Sequence, residues 1–133
     1  MCGICGVYNF NSFKVKSNDL KSLNDEMILR GPDEEGYFLN NNFGMAMRRL
    51  SIIDIENGSQ PMFSDNKNIS LIFNGEIYNY IELRNELNLH GIKFKSNSDT
   101  EVLLKFLNHE GEENLFKLDG MWAFAYFSKR RDK

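Results

Sequence analysis

Met1-Cys2-Gly3-Ile4-Cys5-Gly6-Val7 opens the chain, and its reading decides how the remainder is folded and used. Cys2 is small enough for routine removal of Met1, which leaves a thiol and a free α-amino group on one residue. A cysteine attacks as its thiolate, with a free pKa of roughly 8.5, and an α-amino group titrates near roughly 7.7–8.0, so a partly neutral amine sits beside the sulfur at cellular pH. Nucleophile and base are then one residue. Cysteine–histidine catalysis needs an imidazole, and the two histidines, His90 and His109, both fall in polar helical stretches. A second reading fits equally: Ile4, Val7 and Tyr8 mark a strand, and a buried strand cysteine needs no chemistry. The C-x-x-C spacing of Cys2 and Cys5 adds little. Zinc normally takes four ligands, and no second Cys or His pair is present to complete a site. A redox pair belongs at a helix start, whereas strand positions i and i+3 face opposite sides. From this stretch alone, core cysteine and terminal nucleophile both stay open.

Working outward, Gly3 to Phe10 reads as a strand apolar enough to be covered on both faces, with its exit at Asn11-Ser12. Leu20, Leu23, Met27 and Ile28 follow the stripe of an amphipathic helix capped by Ser17 or Asn18 and stopped before Gly31-Pro32. Tyr37 to Leu39 and Phe43 to Arg48, joined by Asn40-Asn41-Asn42, form a hairpin, and Leu50 to Ile55 extends the sheet. The polar Ser64 to Asn68 turns into a strand, Ile69 to Phe73, that ends at Asn74-Gly75. Ile77, Tyr80, Leu83 and Leu87 recur at helical spacing, with Asn79 and Glu82 as a capping box and Gly91 as the stop. Ser98-Asp99-Thr100-Glu101 opens another helix, buried through Val102, Leu103, Phe106 and Leu107, with Gly111 beyond its end. Asp119-Gly120 turns into Met121 to Phe127, apolar on both faces and expected in the centre of a sheet. Strands, two or three helices and several hairpins in this order make an α+β fold with a mostly antiparallel sheet.

The 133 residues, 41% hydrophobic and 26% charged, suit one domain with a real core. A net charge of -3 with basic residues scattered among acids argues against nucleic acid or an anionic membrane surface as partner. No apolar run approaches the roughly 20 residues that span a bilayer, and the two close cysteines supply no disulfide framework, so a cytoplasmic setting is expected.

Four polar motifs stand out. Arg30-Gly31-Pro32-Asp33 is explained as a helix break and turn. Arg48 and Arg49 alternate across a strand, so one points to the covered side, where a planar guanidinium seeks a carboxylate. Asn74-Gly75-Glu76-Ile77-Tyr78-Asn79 reads as a turn and helix cap. It also offers an amide and a glycine N–H aimed at one spot, the make-up of an oxyanion hole in which losing one donor costs about 10²–10³ in rate. Ser98 and Glu101 are accounted for as a capping box, but Asp99 is not, and with Glu76 it could hold an ammonium. Together these suit an amino acid with a side-chain amide. Arg49 would take its α-carboxylate, Glu76 and Asp99 its α-ammonium, Cys2 the amide carbon, and Asn74 with Gly75 the oxyanion. Glutamine and asparagine fit alike.

Six motifs in order, Cys2-Gly-Ile-Cys-Gly, Arg30-Gly-Pro-Asp, Arg49-Leu-Ser-Ile-Ile-Asp54, Asn74-Gly-Glu-Ile-Tyr-Asn79, Ser98-Asp-Thr-Glu101 and Asp119-Gly-Met-Trp-Ala-Phe, resemble the glutaminase domain of glutamine-hydrolysing asparagine synthetase. That is a class II glutamine amidotransferase of the N-terminal nucleophile superfamily. The resemblance runs from Met1 to about Phe127. It implies an αββα sandwich of two antiparallel sheets between helices, thioester chemistry at Cys2, and glutamine rather than asparagine as substrate. It also implies Arg49 on the carboxylate, Asn74 and Gly75 as the oxyanion hole, and Glu76 and Asp99 on the amino group.

Two departures accompany it. The family's Arg-Asp, Gly and Pro-Leu-Tyr type motif is absent, so residues 1–133 are expected to be the N-terminal and central part of the domain, incomplete at its C-terminal end. The synthetase domain, with the Ser-Gly-Gly loop that binds ATP pyrophosphate, is absent too, and no Gly-rich phosphate loop appears. No cofactor is therefore expected here, ATP and Mg belonging to a synthetase domain or subunit. A non-catalytic glutamine-binding module and a truncated product without activity are the alternatives to a working glutaminase. An unpaired edge on Met121 to Phe127 would favour a homo-oligomer or a separate polypeptide that supplies strands.

Overall fold

The computed structural model describes residues 2–50 and 58–129. In chain order it contains β1 (Gly3–Tyr8), α1 (Ser17–Asp25), β2 (Glu34–Asn40), β3 (Phe43–Arg49), β4 (Met62–Phe63), β5 (Ile69–Ile77), α2 (Tyr80–Leu89), α3 (Asp99–His109), a 3₁₀ segment (Glu112–Lys117) and β6 (Gly120–Ser128). Two three-stranded antiparallel sheets form, in the orders β1-β3-β2 and β4-β5-β6. They face each other across Met45, Met47 and Ile72, with Cys2, Ile4, Phe38 and Phe43 packed around them. Helix α1 covers the outer face of the first sheet, and α2 and α3 cover the second. The expected αββα layering is thus present.

The larger core lies between the second sheet and its helices. Leu71, Phe73 and Ile77 of β5 meet Leu83 and Leu87 of α2 and Val102, Leu103, Phe106 and Leu107 of α3. Helix α3 is the best-formed of the three. The Ser98 side chain accepts from the N–H of Glu101, while the Glu101 carboxylate turns back to the N–H groups of Lys95 and Ser96 and the hydroxyl of Ser96. Gly91 ends α2 with φ 81°, and the N–H of Ile92 returns to Leu87 O at 3.1 Å.

Several expectations change. Helix α1 stops at Asp25, with Lys16 rather than Ser17 or Asn18 at its N-cap. Met27 and Ile28 lie in the tight turn that follows, where Arg30 N–H reaches back to Met27 O. β1 is covered on one face more than the other, since Gly6 and Tyr8 are exposed. The Asn79–Glu82 capping box is not made. Asn79 spends its amide elsewhere, donating to Lys117 O at 2.8 Å and accepting from Asp119 N–H at 3.0 Å, which ties the start of α2 to the start of β6. β5 does not end at Asn74 but runs to Ile77, because β6 pairs along its whole length. Among the described residues β6 is an edge strand, not a central one, and Met121 and Trp122 are exposed. The expected strand from Leu50 to Ile55 falls mainly outside the described residues.

Leu103 is fully buried at the centre of the larger core, so Leu103→Ala should lower unfolding free energy by about 2–5 kcal/mol. Asp65 bridges Lys95 and Lys105, which hold its carboxyl down at about 2, but that carboxylate is largely exposed. Its stabilisation is present above the ordinary Asp value of 3.8 and is lost as pH falls toward 2. Solvent screening limits Asp65→Asn to about 0–1 kcal/mol. Urea unfolding of both variants at neutral pH checks the contrast.

Candidate active site

The site is built on a strand edge that changes partners. Tyr78 N–H donates to Asp119 O at 2.7 Å, in register with the β5–β6 ladder, so the even-numbered residues of β5 make the hydrogen-bonded pairs with β6. Odd-numbered N–H groups therefore point to the opposite edge. β4 occupies that edge at Met62–Phe63, with Ser64 N–H on Ile69 O at 2.9 Å. Beyond it, side chains replace backbone. Phe73 N–H donates to Gln60 Oε1 at 2.6 Å, and Ile77 N–H donates to Asp99 Oδ2 at 3.2 Å. Gly75 lies between them, and the same parity turns its N–H toward the open edge.

That edge forms one wall of a cavity of about 250 Å³. All six residues expected from sequence, Cys2, Arg49, Asn74, Gly75, Glu76 and Asp99, line it. Gly75 has φ 154°, and a Cβ there would run into Met121 O and Trp122 Cα of β6, so the position admits only glycine.

Cys2 sits just ahead of β1, inside the edge of the first sheet. Leu50 N–H points at its sulfur, with N···Sγ 3.4 Å, and Sγ is 3.8 Å from Leu50 O. Cys2 and Cys5 are both free thiols. Cys5 pairs with Ala46 within the sheet, and burial pushes its thiol up. Arg30 Nε donates to Cys2 O at 3.3 Å, Gly31 lies against the backbone of Arg48 and Arg49 where no Cβ would fit, and Asp33 N–H donates to Arg49 O at 3.1 Å. The turn Arg30-Gly31-Pro32-Asp33 thereby clasps Cys2 and Arg49 together, a role that its turn chemistry alone did not disclose.

Both arginines are buried, at 8% and 5% exposure, because both faces of β3 are covered. The alternation argument allowed cover for one only. Arg48 turns toward α1, pairing with Asp25 and Glu35 and donating to Asn24 O. Arg49 takes the cavity side, and Glu34, its cross-strand neighbour, meets Nη1 at 3.1 Å. A ligand carboxylate at Arg49 would share the guanidinium fork with Glu34. Asp99 is buried at 8% exposure beneath the exposed Glu76. Burial raises its carboxyl above the ordinary value, N–H groups of Ile77 and Thr100 oppose this, and Glu76 adds to the rise. Gln60, Ser98 and Thr100 also line the cavity. Gln60 escaped the sequence reading because Gln60-Pro61 resembles any polar turn. Among the described residues no three His, Cys, Asp or Glu side chains converge on a metal-sized site, and no helix is long and apolar enough to cross a membrane.

The family model for a glutamine amidotransferase domain matches residues 1–133. The chain belongs to the glutamine amidotransferase domain family. This amidotransferase domain is 47% identical over 132 residues to "Asparagine synthetase [glutamine-hydrolyzing] 1" of Bacillus subtilis, covering 97% of this chain and 21% of that protein. It is 38% identical over 136 residues to asparagine synthetase B of Escherichia coli, covering 99% and 24%. The solved glutamine phosphoribosylpyrophosphate amidotransferase of B. subtilis, complexed with ADP and GMP, superposes with TM-score 0.55 at 25% identity, over 68% of this chain and 22% of that one. The amidotransferase domain thus spans less than a quarter of the length of these two synthetases.

Because burial makes ionised Asp99 costly, its folded-state pKa lies above the unfolded 3.8. The cost is absent below that value and grows as pH rises through the raised pKa. Asp99→Asn keeps an oxygen acceptor for Ile77 N–H without the charge. Its melting temperature should exceed that of the parent at neutral pH, and the gap should close below pH 3.8. Scanning calorimetry across that range is the check.

Proposed function

We propose that this chain hydrolyses glutamine to glutamate and ammonia through a thioester on Cys2. The observation that carries the reading is the cavity faced together by the Cys2 sulfur, the Gly75 N–H edge and the buried Asp99. Glutamine rather than asparagine is supported by the relatives, whose names describe glutamine-hydrolysing enzymes.

The α-ammonium of glutamine would sit on Asp99 and Glu76 and its α-carboxylate on Arg49, which leaves the side-chain amide over Cys2. Removal of Met1 frees the Cys2 amine. Sγ then bonds to the amide carbon while its proton passes to that amine, and the oxygen takes the negative charge, held by Gly75 N–H and the Asn74 amide. Collapse expels the amide nitrogen, which leaves as ammonia with the proton returned by the amine. Water adds to the thioester, the C–S bond breaks, and glutamate and the thiol are restored. Leu50 N–H, close to Sγ, would stabilise the departing thiolate. The ammonia would serve an ATP-dependent amidation of the asparagine synthetase type, in a synthetase domain or subunit, where ATP and Mg would be bound.

Cys2→Ala should abolish glutamate release and leave the melting temperature nearly unchanged, whereas Cys5→Ala should cost only packing. Intact mass should show Cys2 as the first residue, and active protein that retains Met1 would refute the amine as base.

The charged ends of the substrate keep their charges in the transition state, but the oxyanion exists only there. Arg49→Lys, which loses the planar fork, should chiefly raise KM, while Asn74→Ala should lower kcat by about 10²–10³. A normal kcat for Asn74→Ala with raised KM would remove Asn74 from the oxyanion hole. KM should also rise in acid as Asp99 takes up a proton and stops attracting the ammonium. Steady-state assays across pH decide all three.

A further inference from the structure

We propose that Gln60 is a positioning residue for the oxyanion site, holding the edge of β5 open so that Gly75 N–H is left for the ligand. This rests on the reading of the cavity as a glutaminase site. The β4–β5 register pairs Met62 with Leu71, so the next hydrogen-bonded pair along the ladder would be Gln60 with Phe73. Continued once more, the same ladder would set Gly58 against Gly75 and consume the glycine's N–H. The ladder is cut at its first step. Phe73 N–H takes the side-chain oxygen of Gln60, at 2.6 Å, in place of a backbone carbonyl. With its side chain in the ladder position, the Gln60 backbone is displaced from β5. It lies instead under β2 of the other sheet, where Gly36 packs against Gln60 O so closely that no Cβ would fit.

The second half of the amide reaches the other wall. Gln60 Nε2 lies 3.5 Å from Thr100 Oγ1, one residue past Asp99 on the first turn of α3, and Gln60 and Thr100 are both buried. One side chain therefore spans from the residue before Asn74 to the residue after Asp99. A neutral amide suits this position, since it accepts on one side and donates on the other. Glutamate keeps the acceptor for Phe73 and loses the donor toward Thr100. Methionine keeps the shape and loses both. The split follows from the geometry: losing the Phe73 bond loosens Asn74 and Gly75, which act on the transition state, and losing the Thr100 contact loosens Asp99, which acts on binding.

The test is steady-state glutamine hydrolysis by the full chain and its Gln60→Met, Gln60→Glu and Thr100→Val variants, with melting temperatures measured in parallel. Gln60→Met should lower kcat by about tenfold or more, in keeping with the roughly 10²-fold cost of a 1 Å misplacement near reacting groups. Gln60→Glu should retain most of kcat. Thr100→Val should leave kcat near the parent and raise KM. If Gln60→Met does not fold, a large kcat loss in the folded Gln60→Glu, which keeps the Phe73 acceptor, overturns the assignment, and retention of kcat there with a raised KM supports it. Equal losses in kcat from all three variants, tracking melting temperature, would make Gln60 a structural residue only and overturn it. A parent that hydrolyses glutamine with Gln60→Met matching its kcat removes the role of Gln60 alone. A parent that neither binds nor hydrolyses glutamine fails the glutaminase reading itself, and the role of Gln60 falls with it.

Discussion

The edge of β5 beyond Phe73 is where this structure commits itself. A strand inside a sheet has every N–H and C=O answered by backbone, and such a strand can bind nothing through its main chain. β5 is answered on one side throughout by β6, but on the other side, among the described residues, the strand β4 covers only its first residues. From Phe73 to Ile77 the opposite edge is served by side chains, Gln60 at one end and Asp99 at the other. Buried N–H groups left unanswered would each cost about 1–3 kcal/mol, so the two side chains are what make the gap tolerable. Between them lies Gly75, held without a side chain by the closeness of β6.

The sulfur is brought to that edge from the other sheet. Cys2 precedes β1, and among the described residues its own strand pairs only with β3, so that pairing does not direct it toward β5. The direction comes from the turn after α1. Gly31 nests against the backbone at the end of β3, and Arg30 reaches over to the carbonyl of Cys2. A longer α1, as its apolar pattern suggests, would carry Gly31 away from β3 and leave Cys2 without that hold. The early helix end and the placed cysteine are parts of one arrangement.

Burying charge at the site has a cost that the rest of the fold carries. Burial works against the charged form of Asp99, and what opposes that pull is a set of N–H donors, those of Ile77 and Thr100. Arg49 is matched by Glu34 and Arg48 by Asp25 and Glu35, whereas among the described residues no cation forms an ion pair with Asp99. Such an imbalance favours a cationic group arriving from outside, as an amino acid's ammonium would be. The larger core, packed on the far side of β5, keeps that strand from relaxing to relieve it.

Local chemistry in the chain was enough to determine the helices α2 and α3, the hairpin at Asn41-Asn42, the α+β class and the six residues that share the cavity. Glycines, caps and apolar periods act over a few residues and are visible in one dimension. Tertiary structure alone decided where α1 stops, since Gly31 must reach β3, and it moved Asn79 from a helix cap to Lys117 and Asp119, some 38–40 residues away. It also decided that β5 runs through Asn74, because a strand's length is set by its partner, β6, and not by its own turn residues. Gln60 was illegible for the same reason. A glutamine beside a proline carries no local signal, and its meaning arises only where a ladder from β4 would otherwise continue onto Gly75.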